Sequence, residues 1–316
     1  MSAVLSTPVP TASGIALFGQ DPVSQILTGL ALVVILYVVL SAGEYIYNSF
    51  TRMWRDRVEL FPNTYSSGSM TYTAIQNPTN PLAKTIRVSD NQRYGVEFSY
   101  AMFVNLSSST FGSGNKQLLH ILHKGYSTPF PLMCPGIFAC GERNAIRIFM
   151  NSYDTWLNYV DIENIPVDLW FHLVVSVKGT SQYVYVNGNL KSKVTISDNT
   201  TPPYQNYGDV YLFSSRKNTI NSSKVMSLSK DVTKGDSVLN HVAATSTTPP
   251  ISEHDDMVFA GSATGMASRV YYFAYALTYG EIQSLMTMGP STQVDATNMT
   301  ISPYLASSWW TNNERS

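Results

Sequence analysis

Side chains able to do chemistry are sparse in this chain, and their spacing argues against most reactions. His120 and His123 stand three apart in Gln117 to His123, a segment whose alternation reads as a strand. Side chains alternate faces along a strand, so this spacing predicts the two imidazoles on opposite faces and no shared metal ion. Cys134 and Cys140, in LMCPGIFACG, can close a small disulfide loop about the Pro-Gly turn or stand as two buried reduced thiols. Two such ligands without a neighbouring His or Cys make no zinc site. Asp161 and Glu163 form a carboxylate pair in an apparent loop, without a strand to aim both at one bond. His172 follows Phe171 in an apolar strand and reads as a satisfied histidine rather than a ligand. There is no P-loop, no dinucleotide-binding glycine pattern and no G-x-S-x-G elbow. Nothing here calls for an enzyme. Asn105, Asn199, Asn221 and Asn298 each begin an N-x-S/T sequon, which a chain rich in Ser, Thr and Asn produces readily by chance.

The elements that must position these residues are mostly strands. Val96, Phe98, Tyr100, Met102 and Val104 alternate with Glu97, Ser99 and Ala101, the mark of a half-buried strand. Further strands are expected at 117–123, 145–150, 170–177, 182–186, 190–196, 210–213 and 270–275. Asn187-Gly188-Asn189 predicts a tight hairpin, and Thr278 with Glu281 a capping box opening a helix over Tyr279–Met288. Residues 1–22 read as irregular and 58–90 as a loop-rich entry with one or two edge strands. Residues 91–290 form the β domain, interrupted by a long Ser/Lys-rich excursion at 214–256, and 291–316 form a tail. The net charge of −1 excludes the basic footprint of a nucleic-acid binder. Charged residues are 13% of the 316, about half the ~25% of ordinary soluble domains, which suits packing within an assembly.

Ahead of the β domain, Ile26 to Gly43 runs about eighteen residues without a charge, close to the ~30 Å hydrocarbon thickness of a bilayer. The span 23–57 is therefore expected to be a transmembrane helix with a juxtamembrane extension. Ile26, Leu30, Val34, Tyr37 and Leu40 face lipid, and Tyr45, Tyr47 and Trp54 form an interfacial belt. A cleaved signal peptide is disfavoured, because no Lys or Arg precedes the run and it exceeds the usual ~7–15-residue apolar region. Arg52, Arg55 and Arg57 flank the far side only, which predicts a single-pass protein with its C-terminal domain on the cytosolic side.

One stretch makes the β reading more specific. Ile165 to Val175, with Trp170 and His172, and then Val184 to Leu190 with its Tyr185-Val186-Asn187-Gly188 hairpin, resemble the laminin-G-like, concanavalin-A-like jelly-roll family. Ala276-Leu277-Thr278 with Glu281-Ile282 is similar to that family's closing turn of helix. The resemblance covers about 90–290 and implies an antiparallel jelly-roll sandwich, mainly β, behind a single membrane helix, with Trp170 as a core or hinge aromatic. Glucan-cleaving members of this broad fold carry an E-x-D-x-x-E strand. Here the nearest approach, Glu253-His254-Asp255-Asp256-Met257-Val258, has Val258 where the last carboxylate belongs. Relatives often hold calcium at a sheet rim, which makes Asp209, Asp255 and Asp256 candidate oxygen donors; no other cofactor is implied. Anchor plus domain is also similar to minor capsid or membrane proteins of large DNA viruses of algae and protists. That likeness implies a structural link between an internal viral membrane and the outer shell. Its expected partners are the bilayer and other capsid or assembly proteins, with Trp309 and Trp310 as an exposed anchor. The competing expectation is a membrane-displayed carbohydrate-binding module or adhesin, marked by a concave aromatic groove with adjacent polar side chains.

Overall fold

In the computed structural model the described residues are 22–68, 70–89, 95–130, 132–153, 158–196, 203–220 and 256–295. The uncharged run lies within helix α1, Pro22–Arg55, 34 residues long. Its apolar part, Pro22–Asn48, is long and apolar enough to cross a membrane. Ile26, Leu30, Val34, Tyr37 and Leu40 are all more than half exposed. No single stripe is covered, as a soluble amphipathic helix would require. Pro22 opens the helix, where its missing N–H costs no hydrogen bond, and Arg52 and Arg55 close it against the negative end of the helix dipole.

Residues 56–295 fold as a separate unit. Its strands are β1 (Arg57–Ser66), β2 (Tyr72–Ala74), β3 (Glu97–Leu106), β4 (Gln117–Gly125), β5 (Gly136–Cys140), β6 (Ala145–Phe149) and β7 (Tyr159–Glu163). They continue as β8 (Phe171–Lys178), β9 (Ser181–Val186), β10 (Asn189–Thr195), β11 (Asp209–Leu212), β12 (Lys217–Ile220), β13 (Met257–Ser262) and β14 (Gly265–Phe273). One sheet has the order β1-β14-β3-β8-β9-β10. The other runs β12-β13-β4-β5-β6-β7, with β11 on β4 and β2 on β11. The pairings are antiparallel except that of β13 with β4. The architecture is the mainly β, jelly-roll-like sandwich that the residue pattern predicts.

The main core fills the space between the sheets. Phe98, Tyr100, Met102 and Val104 of β3 meet Phe171, Leu173, Val175 and Val177 of β8, together with Ile121, Ile137 and Ile146 from the opposite sheet. A second cluster, with Phe138, Phe149, Phe259 and Cys140, lies on the other face of the second sheet. β3 is buried on both faces, because the chain folds back over its outer side after β14. Ser99 Oγ donates to Tyr275 O at 2.9 Å and accepts from the Leu277 N–H at 3.0 Å. That return leads into α2 (Tyr279–Thr287), whose Thr278–Glu281 capping box forms as expected. The β9–β10 turn places both Asn187 (φ 49°) and Gly188 (φ 74°) in the left-handed region, as a two-residue hairpin demands.

Several local expectations are corrected. The helix stops at Arg55, and β1 runs through Phe61-Pro62-Asn63, where register shifts absorb the proline. Asp161 and Glu163 lie in β7, not in a loop. Trp170 is only half-buried just before β8, and Phe171 beside it is the core aromatic. The disulfide is not formed: Cys134 and Cys140 are free and buried. Four strand rises from Gly136 to Cys140 already cover ~13 Å, beyond the ~7 Å Cα reach of a disulfide. The two thiols also face different clusters.

Candidate functional site

β1 is the outer strand of one sheet and β2 the outer strand of the other, so the sandwich opens between them. A cleft of about 300 Å³ lies in this opening, lined by Leu60, Phe61, Tyr65, Thr71, Tyr72, Thr73, Ala74, Leu82, Lys84 and Asp295. Half-buried Tyr72 is the aromatic ring on its wall, backed by Tyr65 and Phe61, which are buried in the core behind it. Tyr65 meets Phe61 edge-on at 5.4 Å between centroids and Tyr72 edge-on at 4.9 Å. This spacing and tilt suit the aromatic quadrupole and hold the rings in fixed positions. Tyr72 is pinned by its OH, which donates to Ser66 O at 3.1 Å.

The polar rim comes from two distant segments. Lys84 reaches in from the loop after β2, its Nζ donating to Leu60 O at 2.7 Å. Burial lowers the Lys84 pKa, while Glu59 and Asp295 act to raise it. Asp295 arrives from the segment after α2. That segment runs beside β1 because the Thr64 N–H donates to Gln293 O at 2.8 Å and the Asp295 N–H to Thr64 O at 2.9 Å. Asp295 faces the Tyr65 phenol: burial first, and then that carboxylate's charge, push the phenol up to about 12. The cleft thus offers an apolar aromatic wall, a carboxylate, an ammonium and the Thr71 and Thr73 hydroxyls.

The residues singled out from sequence fall elsewhere. His120 and His123 are brought together, contrary to the opposite-face expectation. A register shift between His120 and Leu122 inserts an extra residue, so both rings emerge on one side, 4.7 Å apart. His120 Nδ1 accepts the Ser214 N–H at 2.8 Å, and His123 Nε2 lies 2.7 Å from Tyr126 O. A carbonyl can only accept, so His123 Nε2 carries hydrogen. The chain of bonds then requires His120 Nε2–H to donate to His123 Nδ1, 2.5 Å away. Both imidazoles are neutral and satisfied. Burial lowers the His120 pKa well below its ordinary value, with His123 adding to the effect, and burial holds His123 at about 4. His172 is buried against Phe103, but its Nδ1 finds no hydrogen-bond partner; burial holds it at about 4.

Asp209 accepts the Gln76 N–H at 2.8 Å, tying β11 to the loop after β2. Asp256 stands at the edge of the described residues, while Asp255 with Glu253 and His254 lies outside them. Among the described residues no three His, Cys, Asp or Glu side chains gather to hold a metal ion. Asp161 is paired to Arg147 through two 2.7 Å hydrogen bonds and to Arg143 as well, which makes it a buried structural anion. Asn105 is half-buried within β3, opposite Met266; Asn199, Asn221 and Asn298 lie outside the described residues. So do Trp309, Trp310 and most of the 214–256 excursion. Tyr45, Tyr47 and Trp54 are exposed on α1. Arg57 belongs to β1, where it pairs with Glu59 and stacks over Tyr271 at 4.5 Å.

Sequence reasoning missed the cleft. Its residues lie in the segment read as loop-rich entry and in the tail, and no motif joins Tyr65 to Asp295.

Fold and cleft define the class: a mainly β sandwich with a cleft at its open edge, behind an apolar N-terminal helix. No family model matches the chain, and no curated protein matches it. Among solved structures it is similar to the Trypanosoma rangeli sialidase in complex with 2,3-difluorosialic acid, at 12% identity and a TM-score of 0.42, over 73% of this chain and 28% of that one. It is also similar to the receptor binding domain of botulinum neurotoxin D, at 12% identity and a TM-score of 0.41, over 71% and 43%. The match thus spans less than half the length of either. Scores at this level transfer no activity and no ligand to this chain.

Proposed function

We propose that this protein is a membrane-tethered recognition protein whose β-sandwich binds a saccharide in the cleft between β1 and β2. The observation that carries the reading is the half-buried Tyr72 ring, held edge-on by buried Tyr65 and Phe61, beside Lys84, Asp295, Thr71 and Thr73. A sugar ring presents an apolar face and a rim of hydroxyls, and this wall and rim offer a partner for each. The reading is one of binding rather than catalysis: Asp295 stands in the cleft without a second carboxylate among the lining residues. The minor-capsid role implied by the viral likeness finds no support among the described residues.

In this reading α1 is retained as an anchor. Arg52 and Arg55 favour the β domain on the cytosolic side, where the ligand is a saccharide of the cytosol or of an assembly built there. The test is glycan binding by the full chain in lipid nanodiscs. The unmodified protein is expected to bind, and Tyr72→Ala to weaken binding by about tenfold, since one stacked aromatic contributes about 1.4 kcal/mol. Unchanged binding by Tyr72→Ala would remove the cleft from the account.

A further inference from the structure

We infer that the ligand is an oligosaccharide chain, held at one end in the cleft and continuing across β2 onto the ring of Tyr211. This rests on the proposed saccharide reading and adds the ligand's length. β2 is the outermost strand of its sheet, with β11 and then β4 behind it. Side chains alternate faces along β2. Tyr72 is paired with Leu212, a residue of the core between the sheets, so Tyr72 takes the inner face. Thr73 is paired with Tyr211, and Tyr211 with His123, so these three share the outer face. Thr71 and Thr73 also line the cleft. The cleft therefore reaches the outer face at Thr73, one strand spacing of about 4.8 Å from Tyr211.

Tyr211 has the makings of a second platform. Its half-buried ring stacks on His123, 4.9 Å between centroids and 15° between planes. His123 is itself fixed, by the Tyr126 carbonyl at 2.7 Å and by the His120 ring. A ring stacked face-on against its β4 neighbour turns its second face the other way, toward β2 and the cleft. Thr73 stands there, small and exposed, and leaves that face room. Burial raises the Tyr211 pKa, Asp209 adds to the rise and Arg216 opposes it, so a carboxylate and a guanidinium both stand near its hydroxyl. An apolar ring face beside polar groups is what the cleft offers at Tyr72, repeated on the other side of β2. A monosaccharide fills one of the two places. A chain fills both, and its second contact is favoured because the first already holds it nearby.

The experiment uses the full chain in nanodiscs of neutral lipid, titrated with cello-, malto-, manno- and chito-oligosaccharides, each from mono- to tetrasaccharide. In the series that binds, affinity is expected to rise about tenfold from the shortest to the longest member, the gain of one more stacked aromatic. Tyr211→Ala should abolish that gain and leave the shortest sugar's affinity unchanged, while Tyr211→Phe, which keeps the ring, should retain the gain. Equal affinity at every length would overturn the inference and leave the saccharide reading standing. A gain that survives in a folded Tyr211→Ala would do the same. Where Tyr211→Ala does not fold, Tyr211→Leu, a strand-compatible side chain without a ring, takes its place with the same two outcomes. Absence of binding in all four series, or Tyr72→Ala without effect on the shortest sugar, would instead overturn the proposed function and the inference with it.

Discussion

His123 shows how one extra residue rewrites a side chain's surroundings. The shift beside Ile121 turns two imidazoles from opposite faces into a bonded pair with assigned tautomers. The energetic consequence is a dependence on acid. His123 at about 4 and His172 at about 4 are depressed below the ordinary ~6.5 of an unfolded histidine, and His120 is depressed in the same direction. Between those values the unfolded chain binds protons that the folded chain refuses, so stability rises with pH across the window. The contribution is fully present above about pH 6.5 and is lost as pH falls towards 4. For His123 alone it is about 3 kcal/mol. Denaturant midpoints measured from pH 8 to 4 should be flat at first and then fall, and the fall should be shallower in His172→Phe. A flat profile throughout would contradict neutral burial.

At the scale of elements, the sandwich depends on close backbone approaches and on caps. A Cβ added at Gly125, at the end of β4, would lie 2.0 Å from Leu132 O, and one at Gly208 would lie 2.2 Å from Gly125 O. These are backbone atoms that no rotamer change can move aside. Gly125→Ala is therefore expected to destabilise the domain by about 2 kcal/mol or more, within the range for overpacking. Thr278→Ala, which removes the side-chain half of the α2 cap, should cost about 1 kcal/mol. Thermal melts of the two variants should rank in that order. The capping box and the Asn187-Gly188 turn were legible in sequence, because each is a pattern over a few neighbouring residues; β3 was legible as a strand, but read as half-buried where the fold buries both of its faces. β1 was not legible as a ten-residue strand: residues 58–90 read as a loop-rich entry, whereas register shifts let β1 carry Pro62.

For the whole molecule, two units divide the chain at Arg55–Asp56. Each has its own source of stability: hydrogen bonds internal to an apolar helix for one, a core between two sheets for the other. Deleting residues 1–55 should yield a soluble domain with the β signature of the full chain by circular dichroism. The full chain should stay with membranes through alkaline carbonate extraction. Release of the full chain by carbonate would argue against α1 as a retained anchor.

What the sequence determined by itself was whatever is written in short-range periodicity. An unbroken apolar run makes a lipid-compatible helix wherever it occurs, and period-two alternation makes strands. The tertiary structure alone decided which segments became neighbours. It paired β1 with β14, set β2 at the opposite sheet edge, and brought Lys84 and Asp295 to one rim across more than half the chain. It also decided that Cys134 and Cys140 face different clusters, and that His120 and His123 share a side. The physical reason is the same in each case. Local sequence sets the face a side chain takes within its own strand, but strand pairing and a single bulge set what that face meets.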